Sequence, residues 1–256
     1  MDCVIQGNIS EASKRFVENC LQSGVFDRTI ISCWESDDVD WASGLTVIKN
    51  KDVENPGTGN RNRQIHSSLA GIKEAGSGDI ARFRSDQIIS IESLKVMRDF
   101  YLSQGEPKLP YLDGELRKKR ICVAGIFKPF PFHPRDHIFF GDRRDMIKLF
   151  DIAQCRLSGE PDYNTMTRAE SYIGCNYASR FFEDFLLFCE NPSDYLSDSA
   201  RNRSAAMKIS DIYRDELFTA FPRIKFSWPK HSLKEYHYHV TQTMGEYWNE
   251  DARWKF

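Results

Sequence analysis

From Cys3 to Asp86 short apolar runs alternate with segments whose apolar residues recur at helical spacing, and this alternation narrows the fold more than any other feature. Cys3-Val4-Ile5 stops at Gln6-Gly7-Asn8, after which Ser10 offers an N-cap to a segment with Ala12, Phe16, Cys20 and Leu21 on one face. Thr29–Trp34 and Leu45–Ile48 read as the next two strands, ahead of the loop Glu54-Asn55-Pro56-Gly57-Thr58-Gly59. Ile65, Leu69 and Ile72 then mark a helix that ends near Gly76-Ser77-Gly78. Asp79–Arg84 is a fourth strand, closing at Ser85-Asp86. Strands and helices in this order predict an α/β fold with a mixed, mostly parallel sheet flanked by helices. In such folds ligands sit beyond the carboxyl ends of the strands, so the chemistry is expected there.

The remainder is less regular and more helical. Gln104–Lys119 carries Pro107, Pro110 and Gly114, and it reads as an exposed connection leading into the basic cluster Arg117-Lys118-Lys119-Arg120. Ile121–Phe127 and Ile138–Phe140 are further strands, and Met146, Leu149, Phe150 and Ala153 restart a helical stripe. Asn191–Ser204, rich in Ser, Asp, Asn and Arg, reads as a mobile loop that could serve as a lid. A length of 256 residues with 41% hydrophobic and 28% charged residues is enough for one packed domain, 1–256. The net charge of −2 supplies no global field for nucleic acid, so nucleic acid is not an expected partner. Seven cysteines without a C-x-x-C pair suit small core residues in a reducing cytosol better than a zinc knuckle or a disulfide framework. With neither a leader-like N-terminus nor a long apolar window, the expected location is the cytoplasm.

The most informative stretch is Asn55–Asp86. Arg61 and Arg63, with Asn60, Asn62 and Gln64, place donors beside a helix N-terminus, where exposed backbone N–H groups already favour phosphate. Alternate residues of a strand share a face, so Arg82, Arg84 and Asp86 are expected to point into one cleft. A carboxylate at that position can hold a divalent cation between phosphates or accept from a sugar hydroxyl. The competing reading is a surface network of ion pairs.

Four elements together, Val4-Ile5-Gln6-Gly7, Ile30-Ile31-Ser32-Cys33-Trp34-Glu35, Asn62-Arg63-Gln64-Ile65 with Ser67-Ser68, and Arg82-Phe83-Arg84-Ser85-Asp86, resemble the WavE family of lipopolysaccharide-synthesis proteins. The glycine-punctuated Arg-Asn helix and the closing acidic motif also look like the nucleotide-sugar half of GT-A glycosyltransferases. The resemblance implies a GT-A-like fold in which residues 1–120 bind a nucleotide-diphospho-sugar and residues 121–256 bind the acceptor, a saccharide or lipid-linked saccharide. It assigns donor contacts to Gln6, Gly7, Asn60, Arg61, Arg63, Gln64, Arg82, Arg84 and Asp86. It also implies a divalent cation, Mg or Mn, on Asp86, with His239 of the His237-Tyr238-His239 run as a late ligand. The usual D-x-D is Arg84-Ser85-Asp86 here, which leaves the arginines as an alternative neutraliser of diphosphate charge.

Two carboxylates are candidates for assisting the attacking hydroxyl. Glu170 opens a helix at Arg168-Ala169-Glu170-Ser171-Tyr172, and Asp136 closes an H-x-x-D before an aromatic strand; His133 of that motif is read as satisfying backbone groups. Two other functions stay open: a nucleotidyl or phosphosugar-processing enzyme, although no G-x-x-x-x-G-K-[ST] loop occurs, and a catalytically silent carbohydrate-binding or assembly subunit. The aromatic end, Tyr247-Trp248 to Trp254-Lys255-Phe256, is compatible with docking on a partner or on the inner face of the cytoplasmic membrane.

Overall fold

A computed structural model describes residues 1–76, 78–128, 130–154, 169–182, 199–222, 225–227 and 235–237. Strand β1 (Asp2–Gln6) and helix α1 (Glu11–Ser23) realise the first unit, and Ser10 and Ser13 close a capping box at the helix start. Phe16, Val17 and Cys20 form the buried stripe of α1, whereas Leu21 lies outside it and is half exposed. Strands β2 (Arg28–Trp34) and β3 (Thr46–Asn50) follow, then one 3-10 turn at Thr58–Asn60 that runs into α2 (Arg61–Glu74). Strand β4 (Asp79–Arg84) leads through the two-residue β5 (Ile88–Ile89) to α3 (Ile91–Leu102).

The later elements are β6 (Ile121–Val123), β7 (Ile138–Asp142), α4 (Arg143–Phe150), α5 (Ala169–Ala178), α6 (Ser199–Leu217), β8 (Phe218–Ala220), β9 (Lys225–Ser227) and β10 (Glu235–His237). Three expectations change. Ile121–Phe127 is a strand only to Val123, because the chain then folds back on itself, with Ile126 bridging Pro134 and the Phe127 N–H donating to the His133 carbonyl. The last six residues of the expected loop Asn191–Ser204 open α6, a segment with Ala200, Ala205 and Ala206 as strong helix formers; residues 191–198 lie outside the described residues. The connection at 104–119 is largely exposed, yet Tyr111 and Arg117 are buried within it.

Among the described residues seven strands form the main sheet in the order β3-β2-β1-β4-β7-β6-β8, and of these β7 alone runs against the others. This is the mixed, mostly parallel, helix-flanked α/β sheet that the alternation of strands and helices predicts. Strands β10, β9 and β5 make a small antiparallel sheet. Alternation along the strands sends Val4, Ile30, Ile80, Val123 and Phe139 to a core with residues of α2, α4 and α5. Cys3, Ile5, Ile31, Phe83 and Phe140 go to the other core, with α1 and α3. The five described cysteines, Cys3, Cys20, Cys33, Cys122 and Cys175, are free and buried in these cores. Helix α2 lies close on the sheet because Gly71 has no side chain: a Cβ there would sit 2.4 Å from a Val4 methyl. Among the described residues no helix is long and apolar enough to cross a membrane.

Candidate functional site

An open cleft of about 250 Å³ lies at the carboxyl ends of β1, β2 and β4, where parallel α/β sheets place their ligands. Its floor comes from the turn after β1: Gly7 holds φ +116, and a Cβ there would stand 2.8 Å from the Ser85 hydroxyl. Ser85 fastens β4 to this turn, donating its hydroxyl to the Asn8 carbonyl at 2.6 Å and its N–H to the Gln6 carbonyl at 2.8 Å. Gln6 is fixed from the other side. Its side-chain oxygen accepts from the Ser67 hydroxyl of α2 at 2.6 Å, and the Ser32 hydroxyl donates to the Ser67 carbonyl at 2.7 Å.

One wall is the start of α2. Gly59 and Asn60 adopt left-handed backbone angles, which turn the chain into the helix and present Asn60, Arg63 and Gln64 to the cleft. Arg63 is held by Asp52, with Nε donating to Oδ1 at 2.8 Å and a second bond from Nη2 to Oδ2, and its Nη1 donates to the Asn60 side chain at 3.1 Å. Next to Arg63 the cleft is lined by Trp34, whose indole N–H donates to Asn8 Oδ1 at 3.0 Å and whose ring lies 6.0 Å from the Arg63 guanidinium.

The far end is an ionic cluster. Arg84 spans Asp86 with two bonds, Nε to Oδ1 at 3.0 Å and Nη2 to Oδ2 at 2.7 Å, and its Nη1 reaches Asp136 Oδ2 at 3.1 Å. Burial works against the Arg84 charge, but Asp136 and Asp86 outweigh it and raise its pKa above the ordinary arginine value. Burial likewise works against ionisation of Asp136, and Arg84, His137 and Arg82 reverse that, holding the carboxyl down at about 2. His137, desolvated beside them, is pushed down to about 4 and is neutral at pH 7.

Seven of the nine residues expected to meet a donor line this cleft: Gln6, Gly7, Asn60, Arg63, Gln64, Arg84 and Asp86. Arg61 and Arg82 do not, and direct donor contact is withdrawn for both. Arg61 is fully buried with its guanidinium 4.8 Å from the Tyr172 ring of α5. Arg82 is fully buried against Phe139 and Phe150, donates to Ser68 Oγ at 3.0 Å and to the Asp136 carbonyl, and is pulled down to about 9 by desolvation, with Asp136 opposing. Both arginines have become pillars beneath the site.

Asp136 stands behind the cleft as the buried counter-ion of Arg84. Glu170, in the first turn of α5, is partly exposed, and its charge is felt by Arg84. His133 engages side chains where backbone partners were expected: Nδ1 pairs with Ser171 Oγ at 2.7 Å, and Nε2 lies 3.9 Å from Glu170 Oε1. The expected cation ligand His239 lies outside the described residues. The described donor set does not suit a divalent cation. Each oxygen of Asp86 already accepts a bond from Arg84, and among the described residues no three carboxylate, imidazole or thiol groups converge on a point.

The WavE lipopolysaccharide synthesis family matches residues 2–211, most of the chain. The chain belongs to that family. No curated protein matches it. Among solved structures, this WavE chain is similar to HddC from Yersinia pseudotuberculosis, at 12% identity and TM-score 0.37 over 63% of this chain and 84% of that one. It is similar to S. aureus TarS 1-349, at 14% identity and TM-score 0.40, with 70% of this chain and 55% of that one covered. A third is the 4-diphosphocytidyl-2C-methyl-D-erythritol synthase of Anaerococcus prevotii, at 9% identity and TM-score 0.36 over 62% and 78%.

Four residues of the WavE cleft, Asn8, Trp34, Gly59 and Ser85, escaped selection from the sequence. Trp34 and Ser85 had a legible signal, since each sits at the carboxyl end of a strand beside residues that were chosen. Asn8, directly after Gln6-Gly7, carried the same strand-end signal; what the sequence did not show is that its side-chain oxygen accepts from the Trp34 indole.

Proposed function

We propose that this WavE chain is a glycosyltransferase that binds a nucleotide-diphospho-sugar in the cleft and passes the sugar to a saccharide hydroxyl during lipopolysaccharide assembly. The observation that carries the reading is the convergence of Trp34, Arg63, Gln64, Arg84 and Asp86 on one cleft at the strand ends. The Trp34 ring offers an apolar face for a base, and Arg63 with the start of α2 offers charge and N–H groups for phosphate. Asp86, oriented by two bonds from Arg84, offers acceptors for sugar or ribose hydroxyls.

Catalysis in this reading rests on holding donor and acceptor in line and on stabilising the departing diphosphate. Between the two candidate bases the geometry favours Glu170. A carboxyl held at about 2 by its guanidinium partner is a weak proton acceptor, which makes Asp136 a positioning residue for Arg84. Glu170, in α5 beside the start of α2, takes the proton of the attacking hydroxyl, and residues 121–256 supply the acceptor side.

The test is a thermal melt in UDP, GDP and CMP, paired with transfer assays on Asp86→Ala. A rise in Tm with one nucleotide family, and loss of transfer in a variant that melts cooperatively, are expected. Full transfer by Asp86→Ala would remove Asp86 from the site.

A further inference from the structure

We propose that this chain grips its donor diphosphate without a divalent cation, a guanidinium–carboxylate cluster standing where a metal would. The inference rests on the nucleotide-sugar reading of the cleft and deepens it.

The argument begins with occupancy of the oxygens. Arg84 covers both oxygens of Asp86 at 3.0 and 2.7 Å and extends its remaining terminal nitrogen to Asp136 at 3.1 Å. A cation seeking Asp86 would have to compete with a bidentate guanidinium for a mostly buried carboxylate and sit against its positive charge, which is costly. Charge balance points the same way. Arg82 and Arg84 with Asp86 and Asp136 sum to zero, as two carboxylates around one divalent cation would, while His137 stays neutral at pH 7.

The diphosphate still needs donors, and the opposite wall provides them. Arg63 is tied to Asp52, a carboxylate half open to solvent, and an exposed partner of this kind is exchanged for a phosphate at little cost. Beside it the Gln64 Nε2 amide is buried at the cleft wall with no acceptor among the described residues, so an incoming oxygen gains a hydrogen bond without displacing another. The first turn of α2 adds its dipole. Arg84 fixes the far end of the cleft, and the near end carries the phosphate contacts.

The experiment is thermal denaturation of the whole chain with UDP and with GDP, each in EDTA and each in MgCl2 or MnCl2, alongside Mn2+ titration of the protein alone followed by the EPR signal of free manganese. The expected result is the same rise in Tm, about 5 °C at saturating nucleotide, with and without the cation. In the titration the free-manganese signal should match that of buffer. A rise that appears only with Mg2+ or Mn2+, or manganese bound by the protein alone, overturns the proposal. No rise in any condition overturns the nucleotide reading itself and this inference with it, a result distinct from cation-dependent binding. Arg84→Lys keeps one positive charge but cannot span both carboxylates. It should lose at least about tenfold in nucleotide affinity in EDTA, and unchanged affinity would show that Arg84 plays no part.

Discussion

Two buried carboxylates flanking the two ends of β7 show how partners decide what burial does. Asp136, just before the strand, faces Arg84 and Arg82 and is held down at about 2. Asp145, in α4 just after the strand, is fully buried and receives the Tyr111 hydroxyl at 2.8 Å, while its nearest cation, Arg144 Nε, stands 3.8 Å away. Among the described residues its second oxygen has no hydrogen-bond donor, and desolvation, with Asp142 adding to it against the Tyr111 bond, raises it to about 6. Both groups lose water, but only Asp136 is hydrogen-bonded through its carboxylate to a guanidinium, while Arg144 and Arg117 act on Asp145 from longer range and do not offset its desolvation. The consequences for stability have opposite signs. Asp136 contributes stability that is complete above its unfolded value near 4 and is lost as pH falls toward 2. Asp145 favours the fold when protonated, so its contribution declines as pH rises from about 4 through about 6.

Asp136→Ala tests the contrast most severely. It strips one of two counter-ions from partly buried Arg84 and the nearest carboxylate from buried Arg82, and should cost about 3 kcal/mol in urea unfolding at pH 7; a loss under about 1 kcal/mol would mean the arginines do not depend on it. Asp145→Asn should move the other way. At pH 8 it should gain about 2 kcal/mol over the parent protein, and it should flatten the decline in stability between pH 4 and pH 6. An unchanged pH slope would remove Asp145 as its source. Tyr111→Phe is the finest probe. It should cost about 1 kcal/mol at pH 7 and raise the Asp145 titration further, followed by carboxyl NMR, because the lost bond is one that lowers that pKa. A downward shift would reverse the role given to the hydroxyl.

The contrast also marks where sequence reading stopped. The cleft was largely legible: strand ends locate ligands in a parallel sheet, and seven chosen residues meet there because each lies at a strand end or at the start of α2. The Tyr111–Asp145–Tyr177 cluster was hidden, since Tyr111 belongs to a segment whose prolines and charges read as an exposed connection. Tertiary packing buried it: the Tyr111 ring stacks on Phe181 with centroids 4.5 Å apart, and its hydroxyl meets Tyr177 at 2.9 Å. The pairing of His133 with Ser171 and Glu170 was equally out of reach, because it joins a proline-rich loop to a helix far along the chain.

The amino-acid pattern alone settled the faces. A period of two along β4 puts Arg82 and Arg84 on the side of Val4 and Gln6, their register partners on β1, and leaves Phe83 on the other. What it could not settle was depth. Arg82 lies under α4 and beside Phe139 and is sealed from solvent, while Arg84, two residues on, reaches the cleft. Side-chain direction follows from backbone geometry within one strand, whereas burial depends on which distant elements pack over it, and only the folded chain brings those together.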